Sequence, residues 1–232
     1  MQKSFDKGWE ENIYLKGRHL NLYPYDLVVS ITARKFFNVP QEERRKIKVL
    51  DLGCGAGNNA KFLAENGFSV YGIDGSKMAV KICKERFLRW NLKGNFVEGD
   101  FLKLSYKNNF FDLVIDRESL YANKFNGIKN AIDEVYKKLK KKGLFISFIY
   151  SSYHPEREFG QEIESNTYCN FRKGSFHKTG KAHFVDIKEI HELFYKFKIE
   201  NIMRHSLIEA YNKPKRFMEF DEYIIIAKKI KI

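Results

Sequence analysis

Four aspartates, Asp51, Asp74, Asp100 and Asp116, each sit in or at the end of a short apolar-rich run. The first run dissolves into glycines, VLDLGCGAGNN over residues 49–59. Glycine costs conformational entropy on folding, so Gly53, Gly55 and Gly57 imply a backbone that something must touch. A carboxylate near such a turn accepts hydrogen bonds from hydroxyl or amino groups. Together they describe a polar ligand held between main-chain N–H groups and acids.

The elements that must position these residues alternate. Apolar runs at 47–53, 68–74, 95–100, 111–116 and 143–150 read as strands, the first almost continuously apolar, as in a sheet covered on both faces. Between them lie helical patterns. One starts at Asn58 and stops at Gly67; a longer one is capped by Ser76; a third carries Ile128, Ala131, Ile132, Val135 and Leu139 and stops at Gly143. The run Lys137-Lys138-Leu139-Lys140-Lys141-Lys142 then falls at a helix C-terminus, where cations offset the macrodipole. A further helix begins at Asp186. Two last strands, near 198–208 and 222–229, flank a loop holding Lys213-Pro214-Lys215-Arg216 and form an antiparallel hairpin. The fold class is therefore α/β, a doubly wound Rossmann-like sheet of seven strands with the last antiparallel and helices on both faces. One domain over 1–232 is expected: a helical cap (1–45), a ligand-binding core (46–150), an insert (151–185), and a C-terminal helix and hairpin (186–232).

Ligands of such sheets lie beyond the carboxyl ends of the strands, where Gly53 and Gly55 stand. A phosphate loop of the GxxxxGK[ST] type is a poor match, because Asn58 stands five residues after Gly53 and no lysine is placed as that loop needs. A dinucleotide fingerprint is formally met by Gly55, Gly57 and Ala60 with Asp74 as the acid. A third ligand explains more residues. DLGCGAGNN, GIDGS, VEGDF and FDLVID, in this order over residues 46–150, resemble the motifs of class I S-adenosylmethionine-dependent methyltransferases.

That resemblance implies S-adenosylmethionine as cofactor and assigns roles. Gly53, Cys54 and Gly55 would pass under its methionine part, with Asp51 near the amino group. Asp74 would take both ribose hydroxyls, Gly75, Ser76 and Met78 would flank the adenine, and Asp100 and Phe101 would meet its amino group and ring. Asp116, with Arg117 and Glu118, would face the sulfonium and the acceptor. Trp9 and Tyr14 either cover the sulfonium, where aromatic faces favour a cation, or pack on the core. Arg18 either forks onto the methionine carboxylate or lies exposed.

Methyl transfer from a sulfonium mainly needs two aligned, desolvated partners, and a hydroxyl acceptor also needs a base. The insert 151–185 is too long for a plain connection and reads as an acceptor lid. Its His154, nearest the strand end, and His183 are the candidate bases. The fourth strand is not followed by [DN]PPY, and no cysteine stands at the fourth or fifth strand end. Tyr150-Ser151-Ser152 replaces the Asp-Asn pair of magnesium-dependent catechol-type enzymes, so no metal is expected. A small-molecule or saccharide-type acceptor is the expectation. RNA is the alternative, because the net charge is +13, although the excess lysine is spread along the whole chain. No apolar run is long enough for a membrane span, and MQKSFDKGWEEN has no apolar h-region. With Cys54, Cys83 and Cys169 scattered, a reducing cytoplasmic setting is expected.

Overall fold

A computed structural model describes residues 5–209 and 219–230; the Lys213–Arg216 loop lies outside them. The strands of the main sheet are β1 (Lys48–Leu52), β2 (Ser69–Asp74), β3 (Asn95–Glu98), β4 (Phe111–Arg117), β5 (Leu139–Tyr150), β9 (Lys198–Leu207) and β10 (Phe220–Lys228). They lie in the order β3-β2-β1-β4-β5-β10-β9. The first five are mutually parallel, whereas β10 runs antiparallel to both β5 and β9. Strand order reverses at β1, which pairs with β2 on one side and β4 on the other. That reversal opens a crevice at the carboxyl ends of these strands.

The helices are α1 (Asp26–Phe36), α2 (Gln41–Arg44), α3 (Asn58–Glu65), α4 (Lys77–Arg89), α5 (Phe125–Lys138) and α6 (Ile187–Leu193). Two apolar cores result. One holds Val49, Leu63, Val80, Phe87 and Ile115; the other holds Leu50, Val114, Ile132, Phe145 and Phe194. Consecutive residues of β1 fall in opposite cores, which is why its sequence is apolar at every step rather than at every second one. The caps are local. Ser76 Oγ accepts the Ala79 N–H at 2.9 Å, and Asp186 and Glu189 form a reciprocal capping box.

The end of α5 differs from expectation. The helix stops at Lys138, and Leu139 turns extended and is fully buried. The last carbonyls are met from outside: Asn109 N–H donates to Lys137 O and Phe110 N–H to Lys138 O. No glycine stop is needed once the preceding loop supplies donors. Lys140, Lys141 and Lys142 consequently belong to β5, and Lys140 Nζ pairs with Asp112 at 2.8 Å.

The insert is folded rather than a bare loop. A short 3-10 helix, Pro155–Phe159, leads into a second sheet of β6 (Gln161–Glu164), β7 (Thr167–Cys169) and β8 (Ala182–His183). Phe171, Phe176 and Phe184 bury themselves in the larger core. At the N-terminus, Trp9–Ile13 forms a π-helical turn and Tyr14–Lys16 a 3-10 turn. The chain then crosses the crevice. Asn58 Nδ2 donates to Tyr23 O at 3.0 Å, the Tyr25 N–H donates to Asn59 Oδ1 at 3.1 Å, and the Arg86 guanidinium holds the carbonyls of Leu20, Asn21 and Ala56. The two asparagines that end the glycine run are therefore ties for the N-terminal strap.

Candidate active site

The crevice begins where β1 leaves the sheet. Gly53 and Cys54 both donate their N–H to Ile73 O, which folds the loop back over β2. Gly53 has φ +71°, and a Cβ there would overlap the Ser119 side chain. Gly55 has φ +50°, and a Cβ there would stand 2.7 Å from Tyr14 Oη. Both glycines thus combine a left-handed backbone with close approach.

Asp74, at the end of β2, ties this loop to the next. Its Oδ2 accepts the Gly55 N–H at 2.9 Å and its Oδ1 accepts the Ser76 N–H at 2.8 Å. Burial pushes its carboxyl up to about 6, against the two N–H donors that hold it down. Asp51 is also buried; burial first and the Asp74 charge second push it up to about 7, with the Ala60 N–H opposing. Its Oδ2 has no hydrogen-bond partner among the described residues.

Two adjoining cavities lie in the crevice. The first is lined by Phe5, Asp74, Gly75, Phe101, Ser119 and Ala122, among others. The second includes Tyr25, Cys54, Gly55, Tyr121, Tyr150 and Phe176. Trp9, Tyr14, Gly53 and Glu118 belong to both.

Gly53, Cys54, Gly55, Asp74, Gly75, Phe101, Trp9 and Tyr14 therefore meet in one crevice. The Cys54 thiol is hydrogen-bonded to Cys83 and buried, which raises it well above its ordinary value and leaves it an inert filler. Other expected residues stand elsewhere. Asp51 lines neither cavity. Ser76 Oγ is taken by the Glu10 carboxylate, which also accepts the Met78 N–H at 3.3 Å. Glu10 thus sits at the N-terminus of α4, where an anion is favoured. Asp100 Oδ1 accepts the Leu102 N–H at 2.9 Å within its own turn. Asp116 is fully buried and accepts from Ser119, Leu120 N–H and Ser147 Oγ, so it braces the turn after β4. Arg18 is exposed and lines neither cavity.

The two insert histidines are packed into the fold. His154 caps the 3-10 helix, its Nδ1 accepting the Glu156 N–H at 3.2 Å. It stands behind Tyr150 and Phe176, with ring centroids 4.8 and 5.4 Å away, and burial lowers it to about 4. His183 is fully buried between Thr167 Oγ1 at 2.7 Å and Glu189 at 3.5 Å. Neither lines the two cavities. The insert reaches the crevice instead through Ser175 and Phe176. Glu10, His19, Tyr25, Ser119 and Tyr121 carry no local pattern that marks them as site residues; only the Asp116-Arg117-Glu118 sequence pointed near Glu118. Among the described residues, no group of three or more His, Cys, Asp or Glu is placed to hold a metal, and no helix is long and apolar enough to cross a membrane.

A reversal at β1, glycines under a strand-end acid and an antiparallel penultimate strand define the Rossmann-like methyltransferase fold. Residues 49–143 match the family described as Methyltransferase domain. A solved S-adenosylmethionine-dependent methyltransferase from Methanosarcina mazei superposes with TM-score 0.71 at 21% identity, covering 91% of this chain and 100% of that one. The 1,6-didemethyltoxoflavin-N1-methyltransferase of Burkholderia thailandensis, solved with 1,6-didemethyltoxoflavin and S-adenosylhomocysteine, gives TM-score 0.65 at 18% identity over 89% and 78%. In sequence, a sterol 24-C-methyltransferase of Saccharomyces cerevisiae is 34% identical over 127 residues, 50% of this chain but 32% of that protein. A putative methyltransferase of Geobacillus is 26% identical over 67% of this chain and 62% of its own length. The chain thus spans about a third and under two thirds, respectively, of these two relatives. Residues 49–143 therefore match a methyltransferase domain, and the chain has the fold of solved S-adenosylmethionine-dependent enzymes; the cofactor that this likeness implies is S-adenosylmethionine. The site fits that group: Gly53 and Gly55 form a cradle that a Cβ would fill, and the buried Asp51 Oδ2 is unpartnered.

Proposed function

We propose that this protein methylates a small-molecule acceptor, with the cofactor in the first cavity and the acceptor in the second. The observation that carries the reading is that Trp9, Tyr14, Gly53 and Glu118 line both cavities, which makes the two neighbours. When bound, S-adenosylmethionine supplies an electrophilic methyl group on a sulfonium.

The protein's residues then hold, orient and exclude water. Asp74 keeps lone pairs beyond its two backbone bonds for the ribose hydroxyls. Gly75 and Phe101 would flank the adenine, and the loop from Gly53 to Gly55 would hold the methionine portion. Asp51 supplies compensating negative charge for the amino group from its buried position. Trp9 and Tyr14 close over the reacting centre and keep it dry. Burial and the Asp74 charge hold Tyr14 protonated, so it serves as a neutral wall and hydrogen-bond donor. Ser76, Met78, Asp100 and Asp116 act one step removed from the ligand, through the strap and the turns they brace, and Arg18 stands exposed. His154 and His183 support the insert.

The Burkholderia enzyme was solved with the small molecule 1,6-didemethyltoxoflavin beside S-adenosylhomocysteine, which supports a compact acceptor here. The net charge of +13 favours the second reading, an RNA acceptor, whose binding would weaken steeply with salt. Calorimetric titration with S-adenosylhomocysteine tests the first cavity, and methyl release from labelled cofactor over a small-molecule panel tests the second. Absence of cofactor binding refutes the assignment; turnover confined to RNA, with a steep salt slope, transfers it to the second reading.

A further inference from the structure

The acceptor cavity carries a charge pattern that methyl transfer alone does not require. Glu118 follows β4 with φ +54°, a conformation that residues with a Cβ avoid. It stands on the boundary of the two cavities and lines both. The rings of Tyr25, Tyr121, Tyr150 and Phe176 line the second cavity and not the first. These rings brace one another: Tyr121 meets Tyr150 edge to face with centroids 4.7 Å apart, and Tyr150 meets Phe176 at 5.1 Å. Burial raises the hydroxyls of Tyr25, Tyr121 and Tyr150, so the rings stay neutral.

The cations nearby are committed or neutralised. Arg117 is ion-paired with Glu118 and, at 3.2 Å, with Glu222, and its guanidinium lies 4.0 Å from the Tyr25 ring centroid. Glu118 and Glu222 thus share one guanidinium, with Glu222 also paired with His205 at 3.0 Å and pushed up to about 7 by burial, and the Arg117 side chain is only 8% exposed. Burial lowers His19. An anionic acceptor would meet Glu118 and the negative faces of the rings, whereas a cation is favoured by both.

We propose that the acceptor is a small-molecule amine, held as its ammonium by Glu118 among Tyr25, Tyr121 and Tyr150, and that Glu118 receives its proton. This rests on the methyltransferase reading above. The ammonium N–H proton passes to the Glu118 carboxylate, and the freed lone pair on nitrogen forms the new N–C bond. The C–S bond to the methyl group breaks with its electron pair left on sulfur, which becomes a neutral thioether. The product is a methylated ammonium, and Glu118 returns its proton to water. Arg117 and Tyr150 are positioning residues for the carboxylate.

The test is ligand-observed NMR on the full chain saturated with S-adenosylhomocysteine, using benzylamine, benzyl alcohol and benzoate as probes. The three share a ring and differ in charge. Benzylamine, protonated at pH 7.5, is expected to bind at least tenfold more tightly than either of the others. In Glu118→Gln, kept saturated with S-adenosylhomocysteine at whatever affinity that variant shows, the preference should fall within twofold. If Glu118→Gln does not fold, Tyr150→Phe should reduce the preference at least threefold, and the ranking in the unaltered protein needs no variant. Equal or tighter binding of alcohol or benzoate, or an amine preference that survives Glu118→Gln, overturns the proposal. Failure of S-adenosylhomocysteine itself to bind overturns the methyltransferase reading instead.

Discussion

Gly55 donates its backbone N–H to Asp74 Oδ2 at 2.9 Å, so the loop that leaves β1 is fastened to the acid that ends β2. The same carboxylate holds Ser76 N–H at the start of α4. One side chain therefore sets the spacing of two loops and faces the cofactor cavity as well. Hydrogen bonds to a charged group contribute about 1.5–3 kcal/mol each. Asp74→Ala should weaken S-adenosylhomocysteine binding by roughly that amount, about 10- to 150-fold by calorimetry, and lower the unfolding temperature. Wild-type affinity in this variant would remove Asp74 from the cofactor site.

Gly53→Ala should be more damaging than its size suggests. The left-handed backbone costs a residue with a Cβ about 1–2 kcal/mol, and the added atom overlaps Ser119. The double variant Gly53→Ala with Ser119→Gly should recover the part due to overlap and leave the backbone part. Denaturant unfolding of the three variants separates the two contributions.

Cofactor affinity should rise as pH goes from 5.5 to 7.5. Asp51 and Asp74 are pushed up to about 7 and about 6 in the folded protein, chiefly by burial. A cationic amino group and ribose hydroxyls favour the ionised carboxylates, so at low pH binding must first expel protons. Calorimetry of S-adenosylmethionine in buffers of different ionisation enthalpy should register proton release near pH 6, fading by pH 8. A flat affinity across this range would contradict the assignment.

His154→Ala should act on stability and not on cofactor binding. Loss of its packing against Tyr150, Phe176 and Phe184 should cost about 2–4 kcal/mol. Its own titration has a definite sign. Burial lowers His154 to about 4 in the folded chain, against an ordinary value of about 6.5. The stability it contributes is therefore full above about 6.5 and is lost as pH falls toward about 4. Acid unfolding over that window should be shallower in the variant, with unchanged S-adenosylhomocysteine affinity at pH 7.5.

Much of this protein follows from local patterns. The apolar run of β1, the glycines after it, the Ser76 and Asp186 caps and the stripe of α5 each depend on neighbours within a few residues, so strands, helices and the glycine loop are readable along the chain. Asp74 at a strand end before a helix is legible for the same reason. The stop of α5 at Lys138 is not, because donors from Asn109 and Phe110 close it. The folded insert and the buried state of His154 and His183 likewise arise from contacts with β5, β10 and the aromatic core.

The amino-acid order by itself determined a doubly wound sheet and a glycine turn beside strand-end acids, since periodicity, capping and turn chemistry act over short spans. Only the tertiary structure decided which side chains line the second cavity. Glu118, Tyr25, Tyr121, Tyr150 and Phe176 come from four separate stretches of chain, and their meeting depends on strand order, on the strap tied by Asn58 and Asn59, and on burial.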